Sequence, residues 1–295
     1  MSVKIINVKR DEEETMTVWR EIIKTGDVQA VRNHIAAGAD INEKDEFGGS
    51  LLQRAALQKN PTLVQLFLDM GLDVNARDNY GGTALICAAN SGVIDNVRIL
   101  IENGADVNAT DDCLGDNALM FALQHGYLDI AKLLFENGSD TKNEFNRTTL
   151  MKAAECDHID IVRWSLDTGA DVNEKDVDSR TALMFAAEGG NVDIVKLFLE
   201  MGLDVNAKDD YGETALMYAA EHGRIDAVKL LIENGADVNA KNKYGKTVLM
   251  YAAGRCRKDI VDFMIENGAD VNAKDDYGNT LADWAERSTL FPDLP

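Results

Sequence analysis

The sequence is poor in cysteine and in long apolar runs, and each shortage excludes a class of protein. Four cysteines occur, with no CxxC pair and no disulfide-framework spacing: Cys87, Cys113, Cys156 and Cys256. Reduced thiols are the expected state, which predicts a cytoplasmic location. No run approaches the ~18 apolar residues of a membrane-spanning helix. The first residues, MSVKIINVKRDEEE, show no secretory signal.

Positive charge is also scarce. Lys plus Arg is 30 and Asp plus Glu is 51, so the net charge is −21. A protein that binds the nucleic-acid backbone needs a basic face, so this balance argues against nucleic acid as the partner. It favours a basic partner, or serves only solubility.

Catalytic and metal-binding patterns are missing as well. The four histidines are scattered along the chain: His34, His125, His158 and His222. Cys156 and His158 are close in sequence, but no second pair supplies the four ligands that zinc needs. The glycines form no GxxxxGK[ST] phosphate loop, and no Ser/His/Asp set stands out. We therefore expect no enzyme activity, no metal and no cofactor.

What the sequence does contain is a repeated unit, seen most clearly in residues 209–241. It starts with a polar turn and a capping Thr214, followed by the short helix-forming stretch Ala215 to Glu221. Gly223 ends that helix, and apolar residues at helical spacing predict a second helix that stops at Gly235. Both helices are shorter than the ~12–15 residues that an isolated helix needs in water. One unit must therefore stack on copies of itself.

The copies recur with a constant period. The Asp of the Gly-Ala-Asp segment, or its variant, falls at Asp40, Asp73, Asp106, Asp140, Asp171, Asp204, Asp237 and Asp270. The successive differences are 33, 33, 34, 31, 33, 33 and 33. A 33-residue period of a turn and two helices is the ankyrin signature. The chain resembles the ankyrin-repeat family over nearly its whole length, which implies an all-α solenoid. It departs from the family where Thr-Ala-Leu-Met replaces Thr-Pro-Leu-His, so the histidine hydrogen bonds of the family are missing.

The repeats predict a simple domain organisation. A flexible leader (1–14) precedes a solenoid (15–287), which comprises an N-terminal cap (15–44), seven full repeats (45–274) and a C-terminal cap (275–287), and a tail follows (288–295). The centre is irregular, with one residue inserted near Asp111 and two missing near Lys142. Asn146 replaces the turn glycine there and tolerates the left-handed conformation. This irregularity is either neutral loop-length drift or a change in curvature that shapes a binding groove.

In proteins of the ankyrin family, partners lie across the turn tips and first helices on the concave side, and the resemblance implies the same here. The tip ladder, broken only by Asp178, is Phe47, Tyr80, Leu114, Phe145, Tyr211, Tyr244 and Tyr277. The first-helix ladder is Cys87, Phe121, Lys152, Phe185, Tyr218, Tyr251 and Trp284. Aromatic residues are enriched in interfaces, although either ladder could instead pack within the protein. The charge of Lys152 predicts that its position faces water.

A third column is acidic. Glu155, Glu188 and Glu221 share one register and form what we term the acidic strip. Neighbouring helices lie ~8–10 Å apart, close to the ~8 Å Debye length, so the strip is only partly screened unless it is simply a solvated face. Asp178, Asp210 and Glu213 lie on nearby tips, whereas the next repeat is basic. The predicted protein-binding residues are Tyr80, Phe121, Phe145, Glu155, Asp178, Phe185, Glu188, Tyr211, Glu213, Tyr218, Glu221, Tyr244 and Tyr251.

These patterns predict a monomeric, cytoplasmic scaffold that binds a basic segment or surface of another protein, with no nucleic-acid or membrane partner. An exported effector that binds a host protein with the same solenoid would have the same sequence features. A structural spacer that associates with itself is a further alternative. An enzyme with a site hidden in the groove has the least support.

Overall fold

The computed structural model describes residues 18–255 and 257–286. The predicted leader and tail and Cys256 lie outside the described residues. Regular structure in the described part consists of α-helices and three isolated antiparallel bridges in the turns. The helices are α1 (18–25), α2 (Val28–Ala36), α3 (Leu51–Ala56), α4 (Pro61–Asp69), α5 (Ala84–Asn90), α6 (Ile94–Glu102), α7 (Ala118–Gln124), α8 (Leu128–Glu136), α9 (Thr149–Glu155), α10 (Ile159–Asp167), α11 (Ala182–Gly189), α12 (Val192–Glu200), α13 (Ala215–Glu221), α14 (Ile225–Glu233), α15 (Val248–Gly254), α16 (Lys258–Glu266) and α17 (Leu281–Glu286).

The chain forms two compact units, which we call unit 1 (Met1–Glu144) and unit 2 (Phe145–Pro295). In unit 1 the first helices α3, α5 and α7 pack in series, and the second helices α2, α4, α6 and α8 do the same. In unit 2 the corresponding series are α9, α11, α13, α15 and α17, and α10, α12, α14 and α16. The unit boundary falls in the central turn that the sequence marks as irregular. The all-α stack of helix pairs is confirmed.

The local sequence explains where the helices begin. Thr214 is the N-cap of α13, and its hydroxyl accepts a hydrogen bond from Met217 N at 3.4 Å. In the preceding repeat the Met184 sulfur also accepts from the Thr181 N–H at 3.4 Å, which closes a capping box. Methionine therefore satisfies a backbone donor at the position where the family carries histidine. The predicted bounds of the first helix in residues 209–241 are confirmed.

The core lies between the two rows of helices in each unit. Leu216 and Ala219 of α13 and Val228 and Leu231 of α14 are between 0% and 1% exposed. Burying one such leucine or valine contributes about 1.5–3 kcal/mol relative to exposure. The first helices approach closely, because a Cβ on Gly189 would clash with the carbonyl oxygen of Glu155. Gly189 therefore allows the close approach of α9 and α11.

Hydrogen bonds along the turns join each repeat to the next. The Asp209 carboxylate accepts from the N–H groups of Tyr211 and Glu213, both at 2.8 Å. The tip carbonyl of Tyr211 then accepts from the N–H of Lys243 at 2.8 Å, and equivalent bonds recur in both units. Asn206 adds a second link, because its side chain donates to the Gly235 carbonyl at 3.0 Å. The tip backbone is thus held in place, which leaves its side chain free to point outward.

One turn residue in the irregular centre has the backbone conformation that the sequence predicts. Asn146 has φ 55°, so it takes the left-handed conformation that glycine adopts at the same position of most other turns. Ser179 and Asp157 also have positive φ, at 65° and 66°, and the sequence analysis did not single them out. A left-handed residue other than glycine costs of order 1–3 kcal/mol. Both lie in unit 2.

Candidate functional site

The tip ladder is the most exposed apolar feature of the described residues. Its exposed fractions run from 41% at Phe145 to 79% at Tyr277. Tyr80, Tyr211 and Tyr244 are each about half exposed. The rings of Phe47 and Tyr80 touch with centroids 6.3 Å apart, yet both stay half exposed. Packing on the neighbouring turn therefore covers only part of these side chains.

The first-helix ladder lies deeper. Phe185 is 1% exposed and Tyr251 is 7% exposed, whereas Phe121 and Tyr218 are half-buried. Lys152 is only 9% exposed, so the expectation that its position faces water is wrong. A long lysine stem buries well along apolar helices, which the charge alone does not reveal. The ladder therefore contributes more to packing between helices than to an open groove wall.

Three of the four rings of this ladder in unit 2, all except Phe185, are hydrogen-bonded to the turn of their own repeat. Tyr218 Oη donates to Asp209 Oδ2 at 2.7 Å, and Trp284 Nε1 donates to Asp275 Oδ2 at 3.1 Å. Tyr251 Oη accepts from Asn242 Nδ2 at 3.1 Å. Burial and the hydrogen bond to Asp209 raise the pKa of Tyr218 far above its ordinary value. The rings are therefore fixed in orientation.

Two cations alternate with the rings. The Arg180 guanidinium lies 4.0 Å from the ring centre of Phe185 and 4.3 Å from that of Tyr218. Lys246 Nζ lies 3.6 Å from the ring centre of Tyr251 and 4.2 Å from that of Trp284. The position of Arg180 between two rings was not predicted from the sequence. The available signal was register, because Arg180 and Lys246 each come directly before a capping threonine.

The intervening repeat carries a carboxylate in that register. Glu213 accepts a hydrogen bond from Tyr251 Oη, and both burial and this bond raise the pKa of Tyr251. Burial lowers the pKa of Lys246, while Glu221 and Glu213 oppose the shift. Rings and charged side chains therefore alternate in unit 2, in the order Phe185, Arg180, Tyr218, Glu213, Tyr251, Lys246 and Trp284.

The acidic strip is largely neutralised within the chain. Glu188 pairs with Arg180 and has His222 Nε2 at 3.5 Å from its other oxygen. Glu221 pairs with Arg255 at 2.6 Å. Arg255 comes from the basic repeat that the sequence sets apart from the strip. The contiguous negative strip is therefore reduced to a single unpaired member.

That member is Glu155. It is half-buried, its Oε2 is covered without a hydrogen-bond partner, and no described cation lies within 4.0 Å of its carboxylate. Gly189 occupies the register of His222 one repeat earlier, so no side chain reaches Glu155 from that position. Nearby, Asp178 is half-buried and Asp210 is exposed. The unpaired charge of the acidic strip therefore lies at Glu155, in the first repeat of unit 2.

A pocket of about 320 Å³ opens near the C-terminal end of unit 2. It lies between two tips and the floor made by the last rings of the first-helix ladder. Its lining residues are Glu213, Asn242, Tyr244, Lys246, Tyr251, Asp275, Tyr277 and Trp284. No group of three or more His, Cys, Asp or Glu side chains within residues 18–255 and 257–286 is arranged to hold a metal ion. Among the described helices, none is long and apolar enough to cross a membrane.

Comparison with known proteins agrees with the repeat geometry. The family model described as Ankyrin repeats (3 copies) matches residues 21–111, 110–176, 150–242 and 209–275. These overlapping matches cover most of the chain. A search of curated proteins found no match.

Proposed function

Because the chain belongs to the ankyrin-repeat family, we propose that it is a non-enzymatic scaffold that binds a basic segment of a partner protein across the tips and first helices of unit 2. Ankyrin repeats generally mediate protein–protein interaction and are typically without catalytic activity. The finer proposal concerns the charge of the partner and the place where it binds.

Glu155 is the observation that carries the proposal. A half-buried carboxylate without a cation is costly, because desolvation is not offset by an ion pair. A lysine or arginine of a partner would supply the missing charge, as Arg180 supplies it to Glu188 one repeat later. The net charge of −21 adds a long-range attraction that raises the association rate for a basic partner.

The exposed tips supply the apolar part of the interface. Phe145, Tyr211 and Tyr244 present between 41% and 50% of their surface, while their backbones are held by turn hydrogen bonds. Rigid aromatic side chains lose little entropy on binding, which suits them to anchor a partner. Asp178 and Asp210 lie beside these rings and add negative charge.

We further propose that the scaffold acts as a monomer in the cytoplasm. Cys87 and Cys113 are free thiols, which fits a reducing compartment. Sedimentation velocity over a concentration range tests the monomer, and a mass that rises with concentration would support the self-associating spacer instead.

The test compares two variants that change net charge equally. The wild-type chain, Glu155→Gln and Glu233→Gln are used as bait on native lysate, the bound proteins are eluted in salt steps and identified by mass spectrometry, and the affinity of each purified partner is measured. Glu233 is exposed on the second helix α14, so its variant reports only the long-range field. We expect Glu155→Gln to weaken binding about fivefold, the loss of roughly 1 kcal/mol, with Glu233→Gln near wild type.

A partner that binds Glu155→Gln and Glu233→Gln equally well would remove Glu155 from the interface. A partner whose contact segment is acidic or uncharged would contradict the proposed chemistry. Salt provides a third check, because the affinity of the wild-type chain must fall more steeply with ionic strength than that of Glu155→Gln.

A further inference from the structure

The pocket between the Tyr244 and Tyr277 tips has the size of a subsite for one side chain. At about 320 Å³ it lies at the lower end of the range for ligand pockets. Tyr244 and Tyr277 form the rim and are 50% and 79% exposed, and the floor is the Lys246 ammonium between Tyr251 and Trp284. The walls are thus mainly faces and edges of aromatic rings.

The chain itself shows what such rings accept. One guanidinium, that of Arg180, already lies between Phe185 and Tyr218, two rings one repeat apart, with Glu188 as its carboxylate partner. Tyr244 and Tyr277 are likewise one repeat apart. They line the same pocket, and the Glu213 carboxylate lines it with them. Arginine suits this setting because its planar group stacks on aromatic faces and forms hydrogen bonds to a carboxylate at the same time.

The charge of the lining favours a cation over an anion. Glu213 and Asp275 are acidic and Lys246 is basic, which leaves one net negative charge. Glu221 and Arg255 lie nearby but neutralise one another at 2.6 Å. The rim rings of Tyr244 and Tyr277 add attraction for a cation, whereas the floor rings of Tyr251 and Trp284 already face Lys246.

We propose that this pocket receives one guanidinium side chain from the basic segment of the partner, stacked between Tyr244 and Tyr277 and paired with Glu213. This inference rests on the proposed function. Lys246 also lines the pocket, and its positive charge repels the incoming guanidinium. Asp275 holds the floor in place, because its carboxylate accepts from Trp284 Nε1 at 3.1 Å and from the N–H groups of Tyr277 and Asn279 at 3.0 and 2.8 Å.

The experiment titrates the full chain with two capped peptides, Gly-Ser-Arg-Ser-Gly and the same peptide with citrulline in place of arginine. Citrulline keeps the shape and removes the charge. The readout is the NMR signal of the Trp284 indole N–H, which the hydrogen bond to Asp275 places at the pocket floor. We expect a saturable shift with the arginine peptide and at least a fivefold weaker response with citrulline.

Three variants sharpen the test. Tyr277→Ala removes the most exposed rim ring and should weaken binding of the arginine peptide at least fivefold. Tyr80→Ala changes a matched tip in unit 1 and should leave this binding unchanged. Lys246→Gln removes the like charge and should tighten binding about threefold. Loss of arginine-peptide binding in a folded Lys246→Gln chain would show that the guest depends on the lysine rather than being opposed by it, and would overturn the proposal. Equal binding of the two peptides would overturn it as well.

The outcome separates this inference from the proposed function. If the peptides do not bind but Glu155→Gln still weakens the captured partner, the pocket proposal fails and the scaffold proposal stands. If the arginine peptide binds at the pocket but Glu155→Gln and Glu233→Gln behave alike, the pocket proposal stands and the role of Glu155 fails.

Discussion

Units 1 and 2 repeat the same turn, but they differ at the first-helix position that faces it. In both, the turn aspartate accepts from two backbone N–H groups, as Asp45 and Asp209 do at 2.8 Å. In unit 1 the facing residue is Arg54, which pairs with Asp45 at 2.5 Å, then Cys87, whose thiol makes no such bond, and only in the third repeat a ring, Phe121. In unit 2 the facing residue is a ring from the second repeat onward.

The difference shows how one scaffold carries two kinds of contact. In unit 1 the facing charge is satisfied inside a single repeat, because Arg54 and Asp45 are nine positions apart. In unit 2 a cation comes before three of the capping threonines and reaches the ring of the next repeat, as Arg180 reaches Tyr218. Glu213 holds this position in the remaining repeat and accepts a hydrogen bond from the next ring, Tyr251. Repeats in unit 2 are therefore coupled by cation–ring contacts along the first helices as well as by turn hydrogen bonds. Variants at these positions should separate the two units.

The largest expected effect is that of Arg180→Ala. The change removes the ion pair with Glu188 and both ring contacts, and it leaves Glu188 with His222 alone. We expect a loss of about 2–4 kcal/mol in the free energy of unfolding, measured by urea denaturation with circular dichroism. Arg54→Ala in unit 1 loses one ion pair and no ring contact, so about half that loss is expected. Equal losses would show that the ring contacts add nothing.

High pH should destabilise both units, and the loss of stability should begin at a different pH in each. Burial raises the pKa of Tyr218 and Tyr251 in unit 2, and it raises the pKa of Cys87 in unit 1 from 9.0 to about 12. A raised folded-state pKa contributes stability below the unfolded-state pKa, and that stability is lost as the pH rises. The loss therefore begins near pH 9 for the thiol and near pH 10 for the phenols.

Urea midpoints at about pH 8 and pH 11 measure this loss. The double variant Tyr218→Phe and Tyr251→Phe should be less stable than the wild type at the lower pH, because it lacks the phenol hydrogen bonds. Its urea midpoint should fall less than that of the wild type on going to the higher pH. Tyr80→Phe, at an exposed tip in unit 1, is the control and should follow the wild type. A double variant with the full wild-type loss would contradict the assignment.

The sequence was sufficient to predict the repeats and insufficient to predict the contacts between their side chains. Period, capping threonines and the left-handed Asn146 follow from local rules that need only neighbouring residues. The position of Arg180 between two rings depends on helix spacing and rotamers, which no single repeat specifies. The same reason explains why Lys152 is buried and why Arg255 neutralises Glu221, a residue 34 positions earlier.

A smaller effect of opposite sign is expected from Phe185→Tyr. In the other ring-bearing repeats of unit 2, the ring bonds to the turn side chain of its own repeat, but Phe185 has no hydroxyl, and Asp176 Oδ2 is buried without a hydrogen-bond donor. Its nearest described cation is Arg147, whose Nε lies at 3.8 Å. A hydroxyl at position 185 would donate to this oxygen and stabilise unit 2 by about 1 kcal/mol. Phe121→Tyr in unit 1 serves as the comparison.

An unchanged or lower urea midpoint for Phe185→Tyr would mean that the Asp176 oxygen is already satisfied or that the hydroxyl does not fit beside Arg180. A double variant distinguishes these two explanations. If the hydroxyl does not fit beside Arg180, adding Arg180→Ala makes room above the ring, and Phe185→Tyr should then stabilise that background.

The smallest effect on stability, and a clear one on reactivity, concerns Cys87, which stands in unit 1 where unit 2 carries rings. Burial first, and then the carboxylates of Asp78 and Asp45, raise its pKa to about 12. Alkylation requires the thiolate, so at about pH 8 Cys87 should react at least a hundredfold more slowly than the exposed Cys113. Timed iodoacetamide labelling with peptide mapping measures both rates. Asp78→Asn should increase the alkylation rate of Cys87 but not that of Cys113. Comparable rates for the two cysteines in the wild type would mean that unit 1 opens locally at this repeat.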